Sequence, residues 1–240
     1  MRAGGLRGGW QVFPLAAIIS LLPRVPETRP LRDSRDVPAP SRQVPVAVRL
    51  KLIACEILYR ELCAAVSRSV NQIDIEFLPK GLHDIGQEGM NRRLQETLSG
   101  VDATTYDAVL FGYALCSNGL VGLTAPSIPL VIPRAHDCIT LFFGSKERYM
   151  EYFQSHPGVY FKTTGWIERG ENTHQHNPDS IATKSGMLQT YEELAAKYGE
   201  DNARFLYEQL CNMTRNYGRI AFIEMGIEPD EELIEQILDP

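Results

Sequence analysis

The sequence predicts an α/β protein, a mostly parallel Rossmann-like sheet flanked by helices, and three observations carry that prediction. Short apolar runs of strand length alternate with stretches of helical periodicity. The runs YDAVLFGY (106–113) and IPLVIP (128–133) are nearly continuous in apolar residues, as in strands covered on both faces. The segments between strands are long enough for crossovers, which run right-handed and leave the strands pointing the same way.

The elements follow in order. VAVRLKLI (46–53) is β-branched and apolar and predicts a strand, and EILYRELCAAVSRS after it places Ile57, Leu58, Leu62, Ala65 and Val66 at helical spacing. IDIEFLP (73–79) alternates like a second strand. A glycine-containing loop leads from it to MNRRLQETLSGV, where Met90, Leu94 and Leu98 recur once per turn. The third and fourth strands are the two apolar runs above. SKERYMEYFQS (145–155) predicts a helix stopped by His156, Pro157 and Gly158, and VYFKTTGW (159–166) a short strand. Residues 168–180 carry no apolar pattern and predict a surface loop or lid. TYEELAAKYGEDNARFLYEQLCNM (190–213) predicts a long or broken helix, RIAFIEMG (219–226) a strand, and Glu231–Leu238 a final helix. Residues 46–155 are expected to form one lobe and 156–240 a second, incomplete one.

Residues 1–45 stand apart. Arg2 and Arg7 precede an apolar run from Val12 to Leu22 that resembles a targeting signal, but prolines interrupt it and it is too short to span a bilayer. The proline- and arginine-rich stretch beyond it has the composition of an unstructured lead. The expectation is a disordered extension, a mis-chosen start or a targeting segment, with no membrane span.

Composition narrows the function classes. A formal charge of −6 and a pI near 5.4 give no concentrated basic face, so nucleic acid is not an expected partner. Five cysteines, Cys55, Cys63, Cys116, Cys138 and Cys211, are an odd number at wide spacing, which fits reduced thiols and a cytoplasmic location better than a disulfide framework.

In an open α/β sheet, ligands bind outside the carboxyl ends of the strands. Cys55, Cys116 and Cys138 each fall at or just beyond such an end. Their separation is unlike a CxxC knuckle, so a shared site must be assembled by the sheet. Three thiolates with His136 match a zinc site of three cysteines and one histidine, or three cysteines with an open position; an iron–sulfur cluster is the alternative use of the same ligands. Arg134, His136 and Asp137 offer a cation, an imidazole and a carboxylate for acid–base work, although Asp137 equally suits a helix N-cap. Cys63 and Cys211, inside helices, are expected as packing thiols. His83, with Asp84, follows the second strand and is a second-tier candidate for substrate contact, a solvated turn being the alternative reading. The turn LCSNGLVGL offers Asn118 and Gly119 as substrate contacts or as plain turn formers, without the spacing of a nucleotide loop. Trp166 is a candidate pocket wall or a core residue. His174 and His176 form an isolated HxH.

The segments KLIACEILYREL, DIEFLPKGLHDIG, YDAVLFGYALCSNGLVGL and IPLVIPRAHDCITLFFGSKERYMEYF together resemble a bacterial and archaeal family known only as domain of unknown function 1638. The resemblance runs from about Lys51 to the end, and its pattern is strongest at Cys55, Cys116, Asn118, Gly119, Arg134, His136, Asp137 and Cys138. It implies no established reaction. It does imply an association with corrinoid-dependent methyl transfer, hence a corrinoid or corrinoid protein as cofactor or partner. It also implies that the first fifty residues are added and that part of the second lobe lies beyond Pro240. Three functions are therefore carried forward: a zinc-thiolate transferase, a non-enzymatic accessory module for a small molecule or corrinoid protein, and an iron–sulfur protein.

Overall fold

The computed structural model describes residues 47–169, 180–211 and 217–228. The first four predicted strands form one parallel sheet. They are β1 (Arg49–Cys55), β2 (Gln72–Leu78), β3 (Ala108–Gly112) and β4 (Leu130–Val131), in the order β2-β1-β3-β4. β4 is shorter than the apolar run that predicted it, because Pro129 and Pro133 cannot donate to a ladder; the Pro129 carbonyl still accepts from Val109 N at 2.8 Å.

A short 3₁₀ turn (Glu56–Leu58) leads into α1 (Tyr59–Val66), and α2 (Gly86–Ser99) joins β2 to β3. Because β2 lies on one side of β1 and β3 on the other, the right-handed rule sends these two connections to opposite faces. Ile53, Ile57, Leu58, Met90, Leu94, Leu98, Val109 and Phe111 are all essentially removed from solvent in the resulting core. Burying such side chains contributes roughly 1.5–3 kcal/mol each. Adjacent strands approach closely at Gly112, where a Cβ would lie 2.5 Å from Ala54 Cβ and 2.9 Å from Leu62 Cδ1.

Beyond β4 come α3 (Cys138–Phe143) and α4 (Lys146–Ser155), the latter capped by Ser145. The only sequence signal for α3 is Asp137 as a candidate N-cap, since its six residues are nearly all apolar and show no stripe. β5 (Val159–Lys162) stops earlier than expected, and Thr163 caps a short α5 (Thr164–Glu168), so Trp166 lies on a helix rather than at a strand end. Arg60 Nε reaches both carboxylate oxygens of Glu168 at 3.0 Å, tying α5 to α1. After α6 (Ile181–Lys184), the long helix predicted over 190–213 is broken at Gly199, which has φ +80, into α7 (Tyr191–Tyr198) and α8 (Glu200–Leu206), followed by a π-turn over Tyr207–Cys211. β6 (Arg219–Phe222) pairs in parallel with β5 as a separate two-stranded sheet. The predicted helix at Glu231–Leu238, the HxH pair and the N-terminal extension lie outside the described residues. Among the described residues no helix is long and apolar enough to cross a membrane.

Candidate functional site

Strand order reverses direction around β1, so the topological switch point lies at the carboxyl ends of β1 and β3, where such sheets bind ligands. Cys55 is the last residue of β1 and is buried. Beyond β3 the backbone continues alongside the segment after β4: Leu115 N donates to Ala135 O at 3.0 Å and Cys116 N to His136 O at 3.1 Å. That short extension carries Cys116 up to the first turn of α3, where Cys138 sits, and the Cys116 and Cys138 side chains are hydrogen-bonded. The sheet thus gathers three thiols that the sequence holds far apart.

The imidazole beside them is His83. It lies on a 3₁₀ turn (Lys80–His83) held against the end of β1 by a 2.8 Å hydrogen bond from Lys80 N to Glu56 Oε1. His83 Nε2 is 3.4 Å from Cys55 Sγ, and its ring also bonds Cys116. His136, expected as the fourth ligand, points outward: its side chain is 81% exposed and its Nδ1 is 3.2 Å from Asp137 Oδ2. His83, a candidate for substrate contact, is thus the imidazole that lies against the thiols. Arg134 is exposed on the same rim.

The electrostatics follow from this packing. Burial alone would lower the His83 pKa, but hydrogen bonds to Cys116 and Cys55, with the charge on those sulfurs, push it up to about 10. The Cys138 hydrogen bond, together with the hydrogen bond and charge of His83, outweighs burial at Cys116 and lowers its thiol to about 5. Cys138, donating to Cys116 and buried, is held well above the usual thiol range. The cluster is an imidazolium–thiolate pair with a second thiol as donor.

Two neighbours escaped the sequence reading. Lys80, 1% exposed, sits with its ammonium 4.5 Å from the Trp166 ring centroid; burial lowers its pKa, while Asp84, Cys55 and Glu56 oppose that shift. Tyr113, also 1% exposed, lies with its ring 6.1 Å from that of His83. Burial first, then the negative charge of Cys55 and Cys116, raises the pKa of its phenol. The Tyr113 hydroxyl interacts with Cys55 but makes no hydrogen bond of acceptable geometry, and Trp166 Nε1 is likewise buried without a partner among the described residues. Lys80 reads in sequence as a solvated turn residue, and Tyr113 as one more apolar member of a strand run.

The other predicted residues have structural work. Asn118 (φ 58) follows Ser117 (φ 50) in the left-handed region, turning the chain after Cys116. Gly119 is required there because a Cβ would meet Met90 Sδ at 2.5 Å, and Asn91 Nδ2 holds the turn by donating to the Gly119 and Val121 carbonyls at 3.0 and 2.9 Å. Asp137 is the N-cap of α3, accepting from both Thr140 N and Thr140 Oγ1 at 2.8 Å. Asp137→Ala is expected to cost about 1 kcal/mol, measurable as a lower urea midpoint, and to loosen the turn that carries Cys138. Cys63 and Cys211 lie apart on α1 and the π-turn.

No three His, Cys, Asp or Glu side chains among the described residues are already disposed as a metal cage. Fold and site together define a class: a parallel α/β protein with a thiol–imidazole cluster at its topological switch point. The chain belongs to the family of proteins of unknown function DUF1638, whose family model matches residues 77–239. His83, Cys116 and Cys138 lie within the matched segment, and Cys55 precedes it. No curated protein and no solved structure matches the chain.

Proposed function

We propose that Cys55, Cys116, Cys138 and His83 form a metal-thiolate centre for zinc, serving alkyl transfer to a metal-activated thiolate. The observation that carries this reading is the continuous chain of side-chain contacts from Cys55 through His83 and Cys116 to Cys138 at the switch point. A tetrahedral zinc with sulfur ligands at ~2.3 Å and a nitrogen at ~2.05 Å has sulfur–nitrogen edges of ~3.6 Å. The 3.4 Å between Cys55 Sγ and His83 Nε2 is near that edge. Metal binding would replace the protons now shared between sulfur and nitrogen, since thiolate and neutral imidazole are the ligating forms. The exposure of Arg134 and His136 on the rim supports a role for them in meeting a substrate or partner protein. A link to corrinoid methyl transfer rests on the family resemblance.

Elemental analysis of protein prepared without oxygen tests the reading. The expected result is close to one zinc per chain, with cobalt substitution giving intense sulfur-to-metal absorption. Metal should be lost in Cys116→Ser and in His83→Ala, and retained in His136→Ala. Protein that holds no zinc or iron while all three rim thiols alkylate freely would overturn it. A brown, iron-containing protein would favour the cluster, and ligand-induced stabilisation without metal or turnover would favour an accessory module.

A further inference from the structure

Buried polar groups in native proteins nearly always have partners, because an unmade hydrogen bond in the interior costs about 1–3 kcal/mol. Tyr113 departs from that rule at the position where departure is most informative. Its hydroxyl is buried with only the Cys55 sulfur, a weak acceptor, beside it and no well-formed hydrogen bond among the described residues. Its ring stands 6.1 Å from the His83 ring, and His83 in turn contacts Cys55. Phenylalanine, which fills the neighbouring core position Phe111, would pack there without leaving a donor unmet. A second unmatched donor, Trp166 Nε1, belongs to the indole that contacts Lys80 on the turn bearing His83.

We propose that Tyr113 Oη donates a hydrogen bond to a neutral carbonyl-type oxygen of the substrate, so that the thiol centre takes an alkyl group whose reacting carbon is bonded to a carbonyl. This deepens the alkyl-transfer reading and depends on the cluster being a reactive thiolate site, not on which metal it holds. The acceptor is neutral because the negative groups around the site, Glu56, Asp84 and the Cys116 sulfur, already outnumber the cations Lys80 and His83. A further anion would be desolvated beside them, which is costly. A carbonyl accepts from a phenol without bringing charge into the site. In the step itself, the Cys116 sulfur attacks the carbon and a carbon–sulfur bond forms. The bond to the leaving group breaks and that group departs with its electron pair. Tyr113 keeps its proton and orients the carbonyl, which makes it a positioning residue with direct contact to substrate.

Paired alkylating probes test this on the full chain as isolated. Iodoacetamide carries the carbonyl; iodomethane does not; both lose iodide to the attacking sulfur. The readout is the ratio of their rates at Cys116, followed by peptide mass spectrometry. Protection by a bound metal slows both probes and largely cancels in the ratio, while elemental analysis of the same sample reads the metal proposal separately. In the native protein the iodoacetamide-to-iodomethane ratio is expected to exceed that of the urea-denatured chain at least tenfold. Tyr113→Phe should cut the native ratio about tenfold while leaving the iodomethane rate within twofold and the melting temperature unchanged or higher. A native ratio equal to the denatured one overturns the proposal without recourse to any variant. So does a Tyr113→Phe protein in which the ratio is unchanged, or in which both rates fall together.

Discussion

Gly165→Ala is expected to lower the melting temperature by roughly 10 °C, because Gly165 has the tightest surroundings of the described glycines. A Cβ at position 165 would stand 1.8 Å from the Ile57 carbonyl oxygen and 2.6 Å from its carbon. Neither atom belongs to a flexible side chain, so the clash cannot be relieved by a rotamer change; α5 must lift from the turn after β1. The overpacking cost is about 3 kcal/mol. The displaced elements are those that frame the site, since Ile57 lies two residues beyond Cys55 and Trp166 follows Gly165 directly. Calorimetry with parallel zinc analysis checks the result: an unfolding temperature within 2–3 °C of the native protein would mean that α5 does not seat on Ile57 as closely as described.

The sheet was readable because its determinants are local. Apolar runs bounded by glycine and proline fixed the strands, and the polarity of a parallel sheet then placed Cys55, Cys116 and Cys138 on one rim. The partner imidazole was not readable. His136 lies two residues from Cys138 in sequence, and proximity in sequence favoured it, but Asp137 caps α3 and the backbone there turns the His136 ring toward solvent. His83 reaches the thiols through a contact that only the folded chain makes, the anchoring of its turn on Glu56. Tyr113 and Lys80 were hidden for a related reason: each looks ordinary in its run, and only burial with or beside unmatched polar atoms marks them. Gly119 was seen as a turn residue, but its steric need for Met90 is a tertiary fact.

In metal-free protein, a thiolate is expected to form with a midpoint at about pH 5, four pH units below the ordinary thiol value of 9.0, and to be visible in the ultraviolet absorption of sulfur. Removing its supports in the double variant Cys138→Ala, His83→Gln should restore ordinary titration and leave roughly a hundredth of the thiolate at pH 7. The same shifts fix how stability depends on pH. Cys116, with its folded pKa depressed from 9.0 to about 5, contributes stability that is complete above pH 9 and lost as pH falls through 5. His83, raised from 6.5 to about 10, contributes stability that is complete below pH 6.5 and lost as pH rises through 10. Between pH 6.5 and 9 the two slopes cancel, because folding removes a proton from the thiol and adds one to the imidazole. The chelated protein should therefore show a plateau across that window, with stability contributed by the pair falling below pH 6.5 and above pH 9. The double variant should lose this contribution. Zinc should change the profile at its acid side, since protons then compete with the ion for both sulfur and nitrogen. Urea midpoints measured from pH 4.5 to 10, with and without chelator, separate the cases. A metal-free profile that rises steadily from pH 6.5 to 9 would mean that Cys116 is a thiolate without an imidazolium partner.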